Sequence, residues 1–223
     1  MRVVALIAAF NEADTVAAVV NGVRPLVNHV LVVDDGSSDA TAERARAAGA
    51  DVILHGRNLG KGQAVRTGLA KVLAGAFTHV LLLDADMQHV PAEASRLLEV
   101  AEASGADVVI GARQFDRSEM PPSRYHTNRI GSWALSTFVG VPIPDTQCGY
   151  RVFRVDALTP IRLRATGYDI ETEMLIKVRR RGGSVRSAPV TAVYGGGRSK
   201  LRPIRDTTRT CFRAVYYRFI ERL

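Results

Sequence analysis

The feature that most constrains this chain is a series of short apolar runs, each closing on a polar cluster, separated by stretches of helical length. Val3–Ala8, His29–Val33, Asp51–Leu54, His79–Leu83 and Val108–Ala112 are rich in valine, leucine and isoleucine, the pattern of strands buried on both faces. Between them, Thr15–Val23 reads as a helix ended near Pro25, and Ser38/Asp39 is placed to cap a second helix running to Gly49. A third follows the glycine-rich loop Gly56–Gly62 over Gln63–Leu73, and a fourth runs from Pro91 to about Ala103. Strands alternating with helices in this way predict an α/β protein built on a mostly parallel, doubly wound sheet flanked by helices.

After Arg113 the rhythm changes. Met120–Ser123 reads as loop, Asn128–Val139 as helix, Tyr150–Arg154 as strand, Ile170–Arg181 as a helix capped by Gly182, and Ser187–Val193 as strand. Gly195–Gly197 is a flexible stretch, and residues 204–223 read as a basic amphipathic helix with Phe212, Tyr216 and Phe219 on one side. One domain over residues 1–203 with that appended helix fits a chain of 223 residues better than two independent cores.

Charge divides the chain where the rhythm does. Residues 1–112 hold 9 Lys/Arg against 13 Asp/Glu, and residues 113–223 hold 21 against 9. The basic half suits an anionic partner: nucleic acid, lipid headgroups or a phosphorylated substrate. Nucleic acid is disfavoured, because aromatics make up only 6% of the chain and do not interleave with the arginines. No apolar run is long enough to span a bilayer, and Val3–Ile7 meets Asn11-Glu12 too soon for an export signal, so a cytoplasmic location is expected. Cys148 and Cys211 offer no disulfide framework and no zinc spacing.

In an open parallel sheet, ligands gather beyond the carboxyl ends of the strands, and the polar clusters fall there: Phe10-Asn11-Glu12, Asp34-Asp35-Gly36-Ser37, Asp84-Ala85-Asp86-Met87-Gln88 and Gly111-Ala112-Arg113. Carboxylates from three segments on one rim repel one another unless cations or hydrogen-bond donors offset the charge. Asp84 and Asp86, two apart at a strand end, with the neutral oxygen of Gln88, are hard donors suited to Mg²⁺ or Mn²⁺. Gly56, Gly60 and Gly62 form a turn that brings Lys61 toward an anion, although the spacing is not that of a Walker loop.

These motifs, in this order on these elements, resemble the inverting family 2 glycosyltransferases of GT-A fold, and most of all the dolichyl- or polyprenyl-phosphate sugar synthases. The resemblance continues through Asp145-Thr146-Gln147-Cys148-Gly149-Tyr150-Arg151, Glu171-Thr172-Glu173 and Gly197-Arg198-Ser199-Lys200, covering nearly all of residues 3–203. It implies a Rossmann-like nucleotide-sugar-binding half over 1–112 and an acceptor half over 113–203. Ala8, Phe10 and Glu12 would line the nucleoside, with Asp35 or Asp34 at the base or ribose and Lys61 at the donor. Asp84, Ala85, Asp86 and Gln88 would hold metal and diphosphate, and Arg113, Arg129 and Lys200 would meet phosphates of donor or acceptor. Two departures stand out: Ala8 and Phe10 replace the family's proline and tyrosine, and Tyr194 stands where an arginine is expected, a contact Arg198 could supply.

A hydroxyl acceptor would need a base, for which Asp145, Glu171 and Glu173 are candidates; a phosphate acceptor is already ionised and needs cations instead. The basic half therefore favours a lipid phosphate met at a membrane surface, with Arg179–Arg181 and the last helix as the segments to touch it. Transfer to a soluble or polysaccharide hydroxyl is the alternative. A sugar-nucleotide nucleotidyltransferase is a further one, which would need an early glycine-rich and basic loop that residues 8–14 lack.

Overall fold

The computed structural model describes residues 1–114, 136–137, 140, 143–146, 148–191 and 216. Seven strands form one sheet: β1 (Val3–Ala9), β2 (His29–Asp34), β3 (Asp51–Leu54), β4 (His79–Asp84), β5 (Val108–Gln114), β6 (Arg151–Arg154) and β7 (Val185–Thr191). Their order across the sheet is β3-β2-β1-β4-β6-β5-β7. Every pairing is parallel except those of β6, which runs antiparallel to both β4 and β5. The result is the mostly parallel, helix-flanked α/β sheet that the sequence predicts.

The helices are α1 (Val16–Val23), α2 (Thr41–Ala47), α3 (Lys61–Leu73), α4 (Ala94–Ser104), the short α5 (Val155–Leu158) and α6 (Ile170–Arg180). Several boundaries shift from the sequence reading by one to three residues, among them the starts of α2 and α4. α2 begins at Thr41, and Asp39 does not cap it in the usual way; its carboxylate accepts hydrogen bonds from the Thr41 and Ala13 amides, tying two loops together. Pro91–Glu93 forms a 3-10 turn before α4 starts at Ala94. α4 ends on Gly105 in the left-handed region (φ 60°), where glycine carries no Cβ penalty.

Burial explains the layering. β1, β2 and β4 are buried almost along their whole length, whereas the edge strand β3 leaves Leu54 exposed. α3 packs on β1 and β2, α4 on β5, β6 and β7, and α6 contacts α3.

Two features of this topology create the site. Chain order reverses around β1, whose neighbours β2 and β4 are fed by opposite connections, and a crevice opens at such a switch point beyond the strand ends. β6 is antiparallel, so its leading segment, residues 148–150, arrives at the rim where β4 leaves it. Register sets the rest: Ala8 lies beside Asp84, and Ala9 beside Asp34.

The start of α3 is held against the 165–167 backbone, with the Gly62 amide donating to the Thr166 carbonyl at 3.0 Å. A Cβ on Gly62 would stand 2.6 Å from the Thr166 carbonyl carbon and 2.8 Å from the Ala165 oxygen, main-chain atoms that cannot swing aside. Alanine in place of glycine should favour a helix by about 1 kcal/mol. Here the clash should outweigh that gain, and Gly62→Ala is expected to lower stability by about 2 kcal/mol in a urea titration.

Candidate active site

At the rim, Asn11 takes a left-handed backbone conformation (φ 52°), which turns the chain after β1. Its amide donates to Ser37 Oγ, and its side-chain oxygen accepts from the Ser38 amide, both at 2.9 Å. The loops after β1 and β2 are thereby locked to each other. Asp34 accepts from the Ser37 amide, and Asp35 accepts from the Leu59 and Gly60 amides and from His55 Nδ1 at 2.7–2.9 Å. Both acids are 3% exposed. In this structure they shape the loops around the crevice: Asp35 fixes residues 55–60, and through them the start of α3.

The first residue of α3 is Lys61. Its ammonium lies 2.6 Å from Asp84 Oδ1 and 2.7 Å from Glu171 Oε1, joining the end of β4 to the first turn of α6. Burial alone would depress this amine, but the two carboxylates more than reverse that and hold it above the usual lysine range. Burial would likewise raise Asp84, and Lys61 reverses it, keeping the carboxyl below its ordinary value. Gly149 borders the cluster because nothing larger fits: a Cβ there would come within 3.0 Å of Asp84 Oδ2. The Tyr168 ring, 40% exposed, lies 5.7 Å from the Lys61 ammonium.

Asp86 is in the opposite condition. Burial and the charge of Asp84 push its carboxyl up to about 6, against the pull of the Gln88 amide, which donates to Oδ1 at 3.1 Å. Met87 between them is held at φ 58°. Ala85 is buried, and Glu12 is half-buried at the end of the first loop, receiving a hydrogen bond from Thr15.

A second ion pair stands at the end of β5, where Arg113 donates from Nε and Nη2 to the two oxygens of Asp145 at 2.5 and 3.0 Å. Asp145 is 2% exposed, so its position is fixed by that planar fork. Behind both pairs lies Arg151, 1% exposed, which donates to the Cys148, Thr146 and Glu171 carbonyls at 2.6–2.8 Å. It binds the segment before β6 to the start of α6, and so sets the distance between Asp145 and Glu171. The sequence reading passed over it; the available signal was an arginine inside the apolar run Tyr150–Phe153.

Glu173 is not turned to the crevice. It is fully buried, accepts from the Arg164 and Ala165 amides and from Lys177 Nζ at 2.6 Å, and tethers the 162–165 loop to α6. Residues two apart on a helix face different sides, so Glu173 and Glu171 meet different partners. His89 stacks on Tyr150 with centroids 5.2 Å apart, and its Nε2 is 3.7 Å from Cys148 Sγ; burial pulls the imidazole down to about 4 and so keeps it neutral. Cys148 is buried with its thiol pushed up to about 12, an inert core side chain. Arg129, Lys200 and the helix over 204–223 lie outside the described residues.

Among the described residues, no three His, Cys, Asp or Glu side chains stand in a metal-binding group. Asp84 and Asp86 offer two hard oxygen donors, and the raised carboxyl of Asp86 marks negative charge that Lys61 does not balance. That donor set fits a divalent ion of the Mg²⁺ or Mn²⁺ kind, which keeps waters and takes phosphate oxygens as further ligands.

Residues 4–161 match the family model described as Glycosyl transferase family 2. Over 202 residues the chain is 35% identical to Glycosyltransferase AglJ of Haloferax volcanii, a match covering 88% of this chain and 65% of that protein. It is 32% identical over 206 residues to the undecaprenyl-phosphate mannosyltransferase of Micrococcus luteus, covering 86% and 84%. In fold it is similar to the glucosyl-3-phosphoglycerate synthase of Mycobacterium tuberculosis, crystallised with Mn²⁺, uridine diphosphate and glucosyl-3-phosphoglycerate. The TM-score is 0.76 at 23% identity, over 97% of this chain and 79% of that one.

Because Asp86 titrates higher in the fold than its free value of 3.8, its ionised form opposes folding. The penalty is absent below pH 4, grows as pH rises through about 6, and is complete above it. In metal-free buffer Asp86→Asn should therefore melt above the wild type at pH 8, by on the order of 1–2 kcal/mol, with the gain vanishing near pH 4. Thermal denaturation across that range measures it.

Proposed function

The chain belongs to glycosyl transferase family 2, and on that premise we propose that it moves a hexose from a GDP-mannose or UDP-glucose type of nucleotide-sugar to polyprenyl or dolichyl phosphate, inverting the anomeric carbon. The observation that carries the acceptor assignment is the state of the carboxylates. The three acids that the sequence offers as bases each sit against a cation: Asp145 on Arg113, Glu171 on Lys61 and Glu173 on Lys177. A carboxylate oxygen that already accepts a cation's N–H is occupied where a substrate proton would have to arrive. A phosphate acceptor asks for no base, because its attacking oxygen is already ionised. The Micrococcus luteus relative is named for a polyprenyl-phosphate acceptor, which supports the same reading.

The residues divide the work. Ala8, Phe10 and Glu12 line the nucleoside side of the crevice, with Asp35 fixing the loop that closes it. Asp84 and Asp86, with Gln88, would hold a divalent ion, which when bound supplies positive charge to the departing diphosphate. Lys61 stands ready at the same end as a further cation for the donor's phosphates. Arg113, oriented by Asp145, lies on the acceptor side, where the incoming phosphate must approach opposite the leaving group. The acceptor oxygen forms the new bond to the anomeric carbon as the bond to the diphosphate breaks, and the negative charge passes to the nucleoside diphosphate. Packed groups already aimed at that charge need no reorganisation during transfer. The basic half of the chain would hold the reaction at an anionic membrane surface. No helix among the described residues is long and apolar enough to cross a membrane.

The test is transfer of label from GDP-mannose or UDP-glucose to polyprenyl phosphate in detergent, with Mn²⁺ or Mg²⁺ present. Label should enter the organic phase with one of the donors, disappear with EDTA, and fall roughly 100-fold or more in Asp86→Ala. Label confined to a water-soluble product would replace the lipid phosphate with a hydroxyl acceptor.

A further inference from the structure

Lys61 occupies a place that its role as a donor contact does not explain. Its ammonium stands on Asp84, the same carboxylate the chemistry would offer to a divalent ion, at 2.6 Å. It is anchored there from three sides. Glu171 holds it at 2.7 Å from α6, the Gly62 amide fixes the first turn of α3 on the Thr166 carbonyl, and Gly149 leaves the cluster room that any side chain would take. We propose that Lys61 is the resident counter-cation of Asp84 in the nucleotide-free protein, holding off a divalent ion until the donor's diphosphate arrives.

With the metal reading above as its premise, the coupling follows from charge. A divalent ion seated on Asp84 would lie within a few ångströms of the ammonium, in a partly desolvated crevice where like charges repel strongly. Asp86 contributes one more negative charge, and Glu171 is already committed to Lys61. A nucleoside diphosphate changes the sum, because its oxygens can take the ammonium from Asp84 and also ligate the ion. Metal and donor then bind as a unit, each weak without the other, which is thermodynamic coupling in its reciprocal form. The site would thus stay free of metal while no sugar is at hand.

The measurement is Mn²⁺ affinity by electron paramagnetic resonance, without nucleotide and with GDP or UDP, for wild type and Lys61→Met. Without nucleotide, Lys61→Met should bind Mn²⁺ about tenfold more tightly than wild type, and the gain should disappear when the nucleotide is present. Lys61→Met leaves Asp84 and Glu171 without their cation; should its melting curve show it unfolded, the comparison is made between Glu171→Gln and Lys61→Met/Glu171→Gln, with the same tightening expected. Equal or weaker Mn²⁺ binding on loss of Lys61, while wild type binds Mn²⁺ with nucleotide, overturns this inference and leaves the metal reading standing. No Mn²⁺ binding to wild type with either nucleotide overturns both.

Discussion

The structure depends on how it tolerates negative charge at one rim of its sheet. Topology gathers Asp34, Asp35, Asp84, Asp86, Asp145 and Glu171 at the ends of β2 and β4, beside the end of β5 and at the start of α6, and their charge is met in several ways. Asp34 and Asp35 are quenched by backbone amides. Asp145 is quenched by a guanidinium fork, and Asp84 and Glu171 share one ammonium. Only Asp86 is left with its carboxyl raised. Amides fix loops and cannot leave, whereas an ammonium on a flexible stem can be drawn to another anion, so Lys61 is the partner among these that can be displaced.

Much of the fold was legible because its signals are local. The apolar runs, the glycines and Pro91 place five strands and four helices within a few residues of where they lie. What could not be read was the pairing of β6. Arg151–Arg154 looks like any short strand, and only its partners, distant in the chain, make it antiparallel and central.

The candidate site divides the same way. Asp84, Asp86 and Arg113 stand out in sequence because polar residues at strand ends need few assumptions. The contacts of Arg151 and Tyr168 could not be read because they join segments far apart in the chain, and proximity of Glu173 to Glu171 in sequence says nothing about the face it occupies. Asp35 carries a load visible only in three dimensions: its two oxygens hold the loop that delivers Lys61 to Asp84.

The position of β6 also bears on how the molecule comes together. β1 to β4 can pair as soon as the first 84 residues exist, but β4 then presents an unpaired edge in the middle of the eventual sheet. β5 cannot cover it, since its partners are β6 and β7, both later in the chain. The sheet is completed only when Arg151–Arg154 enters between them, and that same event carries Gly149 and Arg151 to the rim. Closing the edge of β4 and carrying Gly149 and Arg151 to the rim are therefore one event, and a chain halted before it would expose a sticky strand edge with no site to show for it.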